Sequence, residues 1–263
     1  MTSKLTPEAL ELLDFERFSR QLGLLGVEGQ LSLASSTVAV VGLGGLGSVA
    51  ALYLAGAGVG RLILVDKDVV ESNNLHRQIL YTEADIGKPK AVVAAERLKG
   101  INGKIRIEAI PEPLDPQLAL EIARNSDVIV DALDNWRSRL LVDAAAWREG
   151  KPLVHGAAER LYGQATTVKK GVTGCLACIA PPNIEASGCQ AILGPVVGIL
   201  GSIQALEAIK VITGVGEPLY NKLLILDAAT PSINIISLKP IDCGLCIDKL
   251  KIEERMPEIA SIL

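Results

Sequence analysis

Thr37-Val-Ala-Val-Val-Gly42-Leu-Gly-Gly-Leu-Gly47 decides the fold: a run of β-branched residues, a turn of four glycines in six positions, then an Ala-rich stretch. Glycines at the end of a strand let the backbone approach a phosphate or ribose. The helix that follows offers free N–H groups and a positive dipole end to an anion. Arg61-Leu-Ile-Leu-Val-Asp66 reads as the next strand and ends on a carboxylate placed to accept hydrogen bonds from ribose hydroxyls. Alone, that pattern is a dinucleotide site. The polar run Asn73-Asn-Leu-His-Arg-Gln78 changes the reading, because a dehydrogenase has no need of it whereas a triphosphate does.

Outward from this stretch, strand 37–41, helix 46–57 and strand 61–66 make a βαβ unit and predict parallel pairing. Helix 90–98 starts just after Pro89, a residue suited to a first turn. Strand 105–110, helix 117–123, strand 128–131, helix 135–148 and strand 152–155 continue the alternation. On the N-terminal side, Leu10, Leu13, Phe15, Phe18 and Leu22 at helical spacing predict a helical arm over 7–24 that carries Arg17 and Arg20. Beyond residue 160, the segments 164–169, 223–227 and 232–238 read as antiparallel or mixed strands, and 179–188, with Pro181 and Pro182, as a mobile loop. The expected fold is α/β, a Rossmann-like, mostly parallel sheet with helices on both faces, extended by antiparallel strands. One domain spans 1–263, divided into an arm (1–35), a nucleotide-binding half (36–160) and a second half (161–263).

A length of 263 residues at 49% hydrophobic composition supplies a sizeable core. The net charge of −4 gives no global basic footprint for nucleic acid, and 3% aromatic residues leave few platforms for stacking bases. The N-terminus lacks the basic start and apolar core of a leader peptide, so the cytoplasm is the expected compartment. The apolar stretch 191–211 is interrupted by Pro195, Ser202, Gln204, Glu207 and Lys210 and reads as a buried helix, not a membrane span.

Four of the five cysteines form two C-x-x-C pairs, Cys175/Cys178 and Cys243/Cys246, each bracketed by small residues. Four thiolates fit a closed tetrahedral zinc site with no position left for water, so the expected role is structural. Such an ion closes a long loop and pins the C-terminal region to the rest of the fold. The competing reading is a set of reduced core or redox-active cysteines.

Taken together, Arg17-Phe-Ser-Arg-Gln21, the Gly42–Gly47 turn, Asp66, Asn73–Gln78, Gly87-Lys-Pro-Lys90, Asp131-Ala-Leu-Asp134, both C-x-x-C pairs and Gly194-Pro-Val-Val-Gly198 leading into Gln204–Ile209 carry a resemblance that covers nearly the whole chain. It resembles the ubiquitin-activating-type adenylyltransferases, and within them the MoeB/ThiF/HesA group that activates sulfur-carrier proteins. The resemblance implies attack by the C-terminal glycine carboxylate of a small ubiquitin-like carrier ending in Gly-Gly on the α-phosphorus of ATP, giving an acyl-adenylate and pyrophosphate. A carboxylate is ionised at neutral pH, so the step needs charge neutralisation and alignment, not a base.

On that resemblance Gly42, Gly44, Gly45, Gly47 and Asp66 bind the nucleotide, with Asp68 assisting at the ribose or metal. Arg77 and Lys90 contact phosphates, Asn74 and Gln78 orient them, and Asp134 holds Mg²⁺. Arg20 matches the family arginine that reaches into a neighbouring subunit's site, which implies a homodimer. The half 161–263 becomes the carrier-binding half, and sulfur comes from a separate donor protein. Each residue also has a plainer reading. Arg17 and Arg20 could pair with Glu11 and Asp14, Lys90 could be an ordinary first-turn lysine, and Asp134 could cap the following helix. His76 fits packing better than acid–base work. Cys189 is either an acceptor for an acyl or sulfur group or a small apolar residue. The competing functions are a nucleotide-binding regulator, an NAD-dependent oxidoreductase, and a tRNA-modifying adenylating enzyme.

Overall fold

The structure is a computed structural model that describes residues 14–179 and 191–239. Cys189, Cys243, Cys246, residues 7–13 of the expected arm and residues 180–188 of the expected loop lie outside the described residues.

One eight-stranded sheet runs in the order β3-β2-β1-β4-β5-β6-β7-β8. Its parallel half comprises β3 (Arg106–Ile110), β2 (Arg61–Val65), β1 (Thr37–Val41), β4 (Val128–Asp131) and β5 (Leu153–Glu159). From β5 onward pairing is antiparallel, through β6 (Tyr162–Val168), β7 (Lys222–Asp227) and β8 (Ser232–Ser237). The mixed sheet expected from the change in periodicity is therefore present. β5 runs past the expected end at 155 because it hairpins directly onto β6, with Arg160 at φ 55° in the two-residue turn.

The central strands β2, β1 and β4 are buried on both faces, which is why they read as nearly continuous apolar runs, whereas the edge strand β3 exposes Arg106 and Glu108. Val38, Val40, Leu62, Leu64, Val128 and Val130 face a core closed by α2 (Gly45–Ala57) and α3 (Lys90–Ile101). Ala39, Val41, Ile63, Val65 and Ile129 face the other, closed by α4 (Pro116–Asn125) and α5 (Trp136–Glu149). Helix α2 stops at Gly58, whose left-handed backbone (φ 85°) turns its N–H back onto the carbonyls of Ala55 and Leu54.

The arm helix α1 (Ser19–Ser35) bends at Gly26 and extends well beyond the expected end at 24, because its second segment buries Gly29, Gln30 and Leu33. Small and polar residues there hide the apolar period. Helix α6 (Gly194–Thr213) is long and apolar enough to cross a membrane by length and composition. In this fold it packs closely on α2, with room only for glycine where Gly45 meets Val197 and Gly201 meets the backbone of Leu46. It buries Val196, Val197, Leu200, Ala205 and Ala208.

The connection from β2 to α3 is stapled at Asp85. Its carboxylate accepts from Arg97 of α3 at 2.7 Å and from the Thr82 hydroxyl and backbone N–H at 2.7 and 2.9 Å. The Arg97 guanidinium, helped by Thr82, holds this carboxyl well below the usual carboxylate range.

Two outcomes follow from these contacts. A Cβ added at Gly47 would overlap the carbonyl oxygen of Gly42, whereas one at Gly44 would meet only the Gln78 amide at 3.7 Å. Gly47→Ala should therefore cost at least about 1–3 kcal/mol of stability, read in denaturant melts, and Gly44→Ala distinctly less. Because the folded pKa of Asp85 is depressed, its contribution is fully present above the unfolded carboxylate pKa and is lost as pH falls through the folded value. Asp85→Asn should flatten the acid limb of the stability–pH curve and leave its slope above pH ~5 unchanged.

Candidate nucleotide-binding site

The chain leaves β1 for α2 on one face of the sheet and leaves β4 for α5 on the other, so a crevice opens at the carboxyl ends of these neighbouring strands. The glycine turn stands in it. Gly42 has φ 89°, and a Cβ there would press on the carbonyl of Ala132 at 2.7 Å. The turn is fixed from behind, since Leu43 N–H donates to Asp66 Oδ2 at 2.7 Å and the buried Tyr81 hydroxyl donates to the Leu43 carbonyl at 2.9 Å. Gly44 and Gly45 then open α2, with Gly44 at the N-cap and no side chain capping the first N–H groups.

Asp66 follows β2, as expected, and both its carboxylate oxygens already have work: Oδ2 holds Leu43 and Oδ1 accepts from Asp68 N–H at 2.8 Å. Each oxygen keeps a further lone pair for a hydroxyl. Burial raises the Asp66 carboxyl above the usual range, against the opposing pull of Lys90. Lys90 is only 6% exposed, and its Nζ lies 3.5 Å from Asp68 Oδ2. The anionic partner that a lysine at the positive end of a helix calls for is thus Asp68 within the chain.

The polar run folds as a short turn with a reciprocal cap. Asn74 Oδ1 accepts from Glu71 N–H at 3.1 Å, and its Nδ2 donates to Asn73 Oδ1 at 2.6 Å. Asn74 is 5% exposed and serves first to shape the turn. Arg77 donates to the Asn73 carbonyl, and its Nη1 lies 2.8 Å from Nε2 of the exposed His76 ring. Gln78 is 3% exposed, faces Gly44, and its Oε1 finds no partner among the described residues. The start of α6 packs against this run, with Gly194 beneath the carbonyl of His76.

Asp134 stands exposed in the loop after β4 and accepts from Asn135 Nδ2 at 3.1 Å. The cap of α5 is Asn135, which accepts from Ser138 N–H, so the capping role weighed for Asp134 belongs to its neighbour. Arg20 is exposed on α1. Arg17 is paired with Asp14 at 3.6 Å and donates to the Ile101 carbonyl at 2.8 Å, which is the plainer of its two readings.

A group absent from the sequence-derived site lies directly beneath the loop. Asp131, fully buried, accepts from His155 Nδ1 at 2.7 Å and from Arg139 at 3.1 Å. Burial alone would raise the Asp131 carboxyl; the Arg139 charge and the His155 bond overcome it and lower it. Burial keeps the His155 ring neutral. Nothing in single-residue spacing joins these positions, although Asp131 and His155 sit in register on adjacent parallel strands.

Cys175 and Cys178 sit across one turn with Sγ atoms 3.8 Å apart. That is too far for a disulfide and matches the edge of a thiolate tetrahedron about zinc, about 3.8 Å for Zn–S bonds near 2.3 Å. The turn is held on α5, where Asp143 accepts from Leu176 N–H at 3.0 Å and Ala177 N–H at 3.4 Å. Burial pushes the Asp143 carboxyl up to about 7.

Comparison with known proteins agrees with this geometry. The chain is 46% identical over 239 residues to a Zea mays protein named adenylyltransferase and sulfurtransferase MOCS3-1, covering 88% of this chain and 51% of that one. It is 41% identical over 249 residues to the sulfur carrier protein adenylyltransferase of Thermus thermophilus, covering 90% and 92%. The chain thus spans about half the length of the MOCS3 relatives it matches. Among solved structures, Escherichia coli MccB with ATP superposes with a TM-score of 0.80 at 25% identity, over 92% of this chain and 76% of that one. The sequence pattern of the ThiF family matches residues 18–245, and with a glycine turn, acidic strand end and Asp-bearing loop gathered at one crevice, this chain belongs to the ThiF family.

Proposed function

We propose that this protein is an ATP-dependent adenylyltransferase that activates the C-terminal glycine carboxylate of a small ubiquitin-like sulfur carrier, releasing pyrophosphate. The observation that carries the reading is the meeting at one crevice of the glycine turn with Gln78 on one side and the Ala132–Asp134 loop on the other. The names of the Thermus and maize relatives, and the existence of a solved MccB complex with ATP, support the same chemistry.

In this reading the ribose binds at Asp66 and the triphosphate lies along α2's first turn, toward Arg77, Gln78 and Lys90. The incoming carboxylate supplies its own electron pair to the α-phosphorus while the bond to the pyrophosphate oxygen breaks. No proton moves in that step, and both histidines are engaged elsewhere, His155 with Asp131 and His76 with Arg77. Asp134 fits a magnesium ligand, being an exposed carboxylate with only one oxygen engaged by Asn135. The ion would neutralise charge on the pyrophosphate leaving group. Arg20 would serve the neighbouring subunit's site in a homodimer, and a separate protein would donate sulfur. Cys175 and Cys178 would share a structural zinc with Cys243 and Cys246, and Cys189 would be available as an acceptor of an acyl or sulfur group.

Two experiments check this. Carrier-dependent exchange of labelled pyrophosphate into ATP should be present and should fall by roughly 100-fold or more in Arg77→Ala and Asp134→Ala, the loss typical of one preorganised charge-stabilising group. Binding of Mg-ATP without exchange would mark a regulator, and a melting point raised by NAD but not by Mg-ATP would mark a dehydrogenase. Metal analysis should find one zinc per chain, lost in both Cys175→Ser and Cys243→Ser with a lower Tm. Retention of zinc in either variant refutes the four-cysteine assignment.

A further inference from the structure

The loop that presents Asp134 is fastened from beneath by one buried side chain. Leu133, the residue immediately before Asp134, has both backbone polar groups engaged: its N–H donates to Asp131 Oδ1 at 3.1 Å, and its carbonyl accepts from an Nη of Arg139. The other Nη of Arg139 reaches Asp131 Oδ2 at 3.1 Å and the Gly156 carbonyl at 2.8 Å. The Asp131 backbone is held in turn by Gln204 of α6, whose Nε2 donates to the Asp131 carbonyl at 2.7 Å. Gly156 has no room for a side chain because the Gln204 amide fills the space where a Cβ would stand.

Arg139 is itself only 6% exposed and lies a full helical turn behind Asp134, so its charge faces the loop's underside. Stability alone explains such a pair poorly, since a buried ion pair often does no better than apolar residues of the same volume. What apolar side chains cannot supply is a rigid fork that satisfies the carbonyls of Leu133 and Gly156 and the Asp131 carboxylate from one point.

We infer that Arg139 is a positioning residue: by clamping the peptide before Asp134 it aims that carboxylate at the metal on the pyrophosphate and holds Ala132 against the glycine turn. This rests on Asp134 being the magnesium ligand of the proposed reaction. Outer-shell groups of this kind typically change metal affinity or activity about 10–100-fold. Arg139→Lys keeps the charge and loses the fork, and Arg139→Gln loses both. Asp131→Asn cuts the same clamp from its other side while keeping the cluster's shape.

Each variant, after its folded monomer or oligomer is isolated by size exclusion, is assayed by pyrophosphate exchange against free Mg²⁺ at saturating ATP and carrier, with Asp134→Asn alongside. Binding of Mn²⁺ in the presence of ATP, followed by electron paramagnetic resonance, gives a readout that does not require turnover. The clamp predicts that the half-saturating Mg²⁺ concentration rises about tenfold or more in at least Arg139→Gln and Asp131→Asn, with weaker Mn²⁺ binding and an unchanged carrier KM. Folded variants with the wild-type Mg²⁺ dependence, beside an impaired Asp134→Asn, overturn the role of Arg139. If Asp134→Asn itself keeps the wild-type Mg²⁺ dependence, the metal assignment fails, and the purpose of the clamp fails with it.

Discussion

The contact on which the site depends is the close approach of two loops that leave adjacent parallel strands for opposite faces of the sheet. Gly42, with its left-handed backbone, lies against the carbonyl of Ala132, and only a residue without a Cβ fits there. The in-register pairing of Val41 with Asp131 brings the two loops side by side. Because β1 and β4 are buried on both faces, the separation of these loops is set by the core and not by the loops themselves. Three residues of the proposed site connect to this junction: Asp66 through Leu43, Gln78 through Gly44, and Asp134 through Leu133.

Much of this was legible in the residues. The glycine turn, the acid after β2 and the alternation of strand and helix patterns pointed to a doubly wound parallel half, and the later period-two segments pointed to an antiparallel extension. The resemblance then directed attention to Asn74, Arg77, Gln78, Lys90 and Asp134, which lie in short turns and connections and at one helix start. What it did not convey is how many of these groups are already engaged. Asn74 closes a turn, Asp66 braces the glycine loop and Lys90 is paired with Asp68, because a polar side chain near a buried backbone satisfies local donors and acceptors before any ligand arrives.

The least legible part is the Asp131–Arg139–His155–Gln204 cluster. Its members come from a strand end, a helix, a second strand and a distant helix, far apart in sequence. Periodicity places such residues inward but is silent on which partner each finds. Arg139 in particular lies on a mostly buried helix face where an apolar residue would be the ordinary choice, and only the three-dimensional count of backbone carbonyls needing donors accounts for it. Likewise the end of α1 and the length of β5 were set by tertiary contacts with α6 and β6 rather than by local preference.

The Lys90–Asp68 pair has a consequence for selectivity. A carboxylate tethered beside an ammonium is present at high effective concentration, so an incoming anion gains only the difference between itself and that resident partner. A ligand with a single carboxylate exchanges like for like and gains almost nothing. A polyphosphate brings several charges and can engage other donors at once, so it competes better for the lysine than a single carboxylate does. In the proposed ATP site, that internal counter-ion would act as a threshold, favouring a highly charged ligand over a weakly charged one.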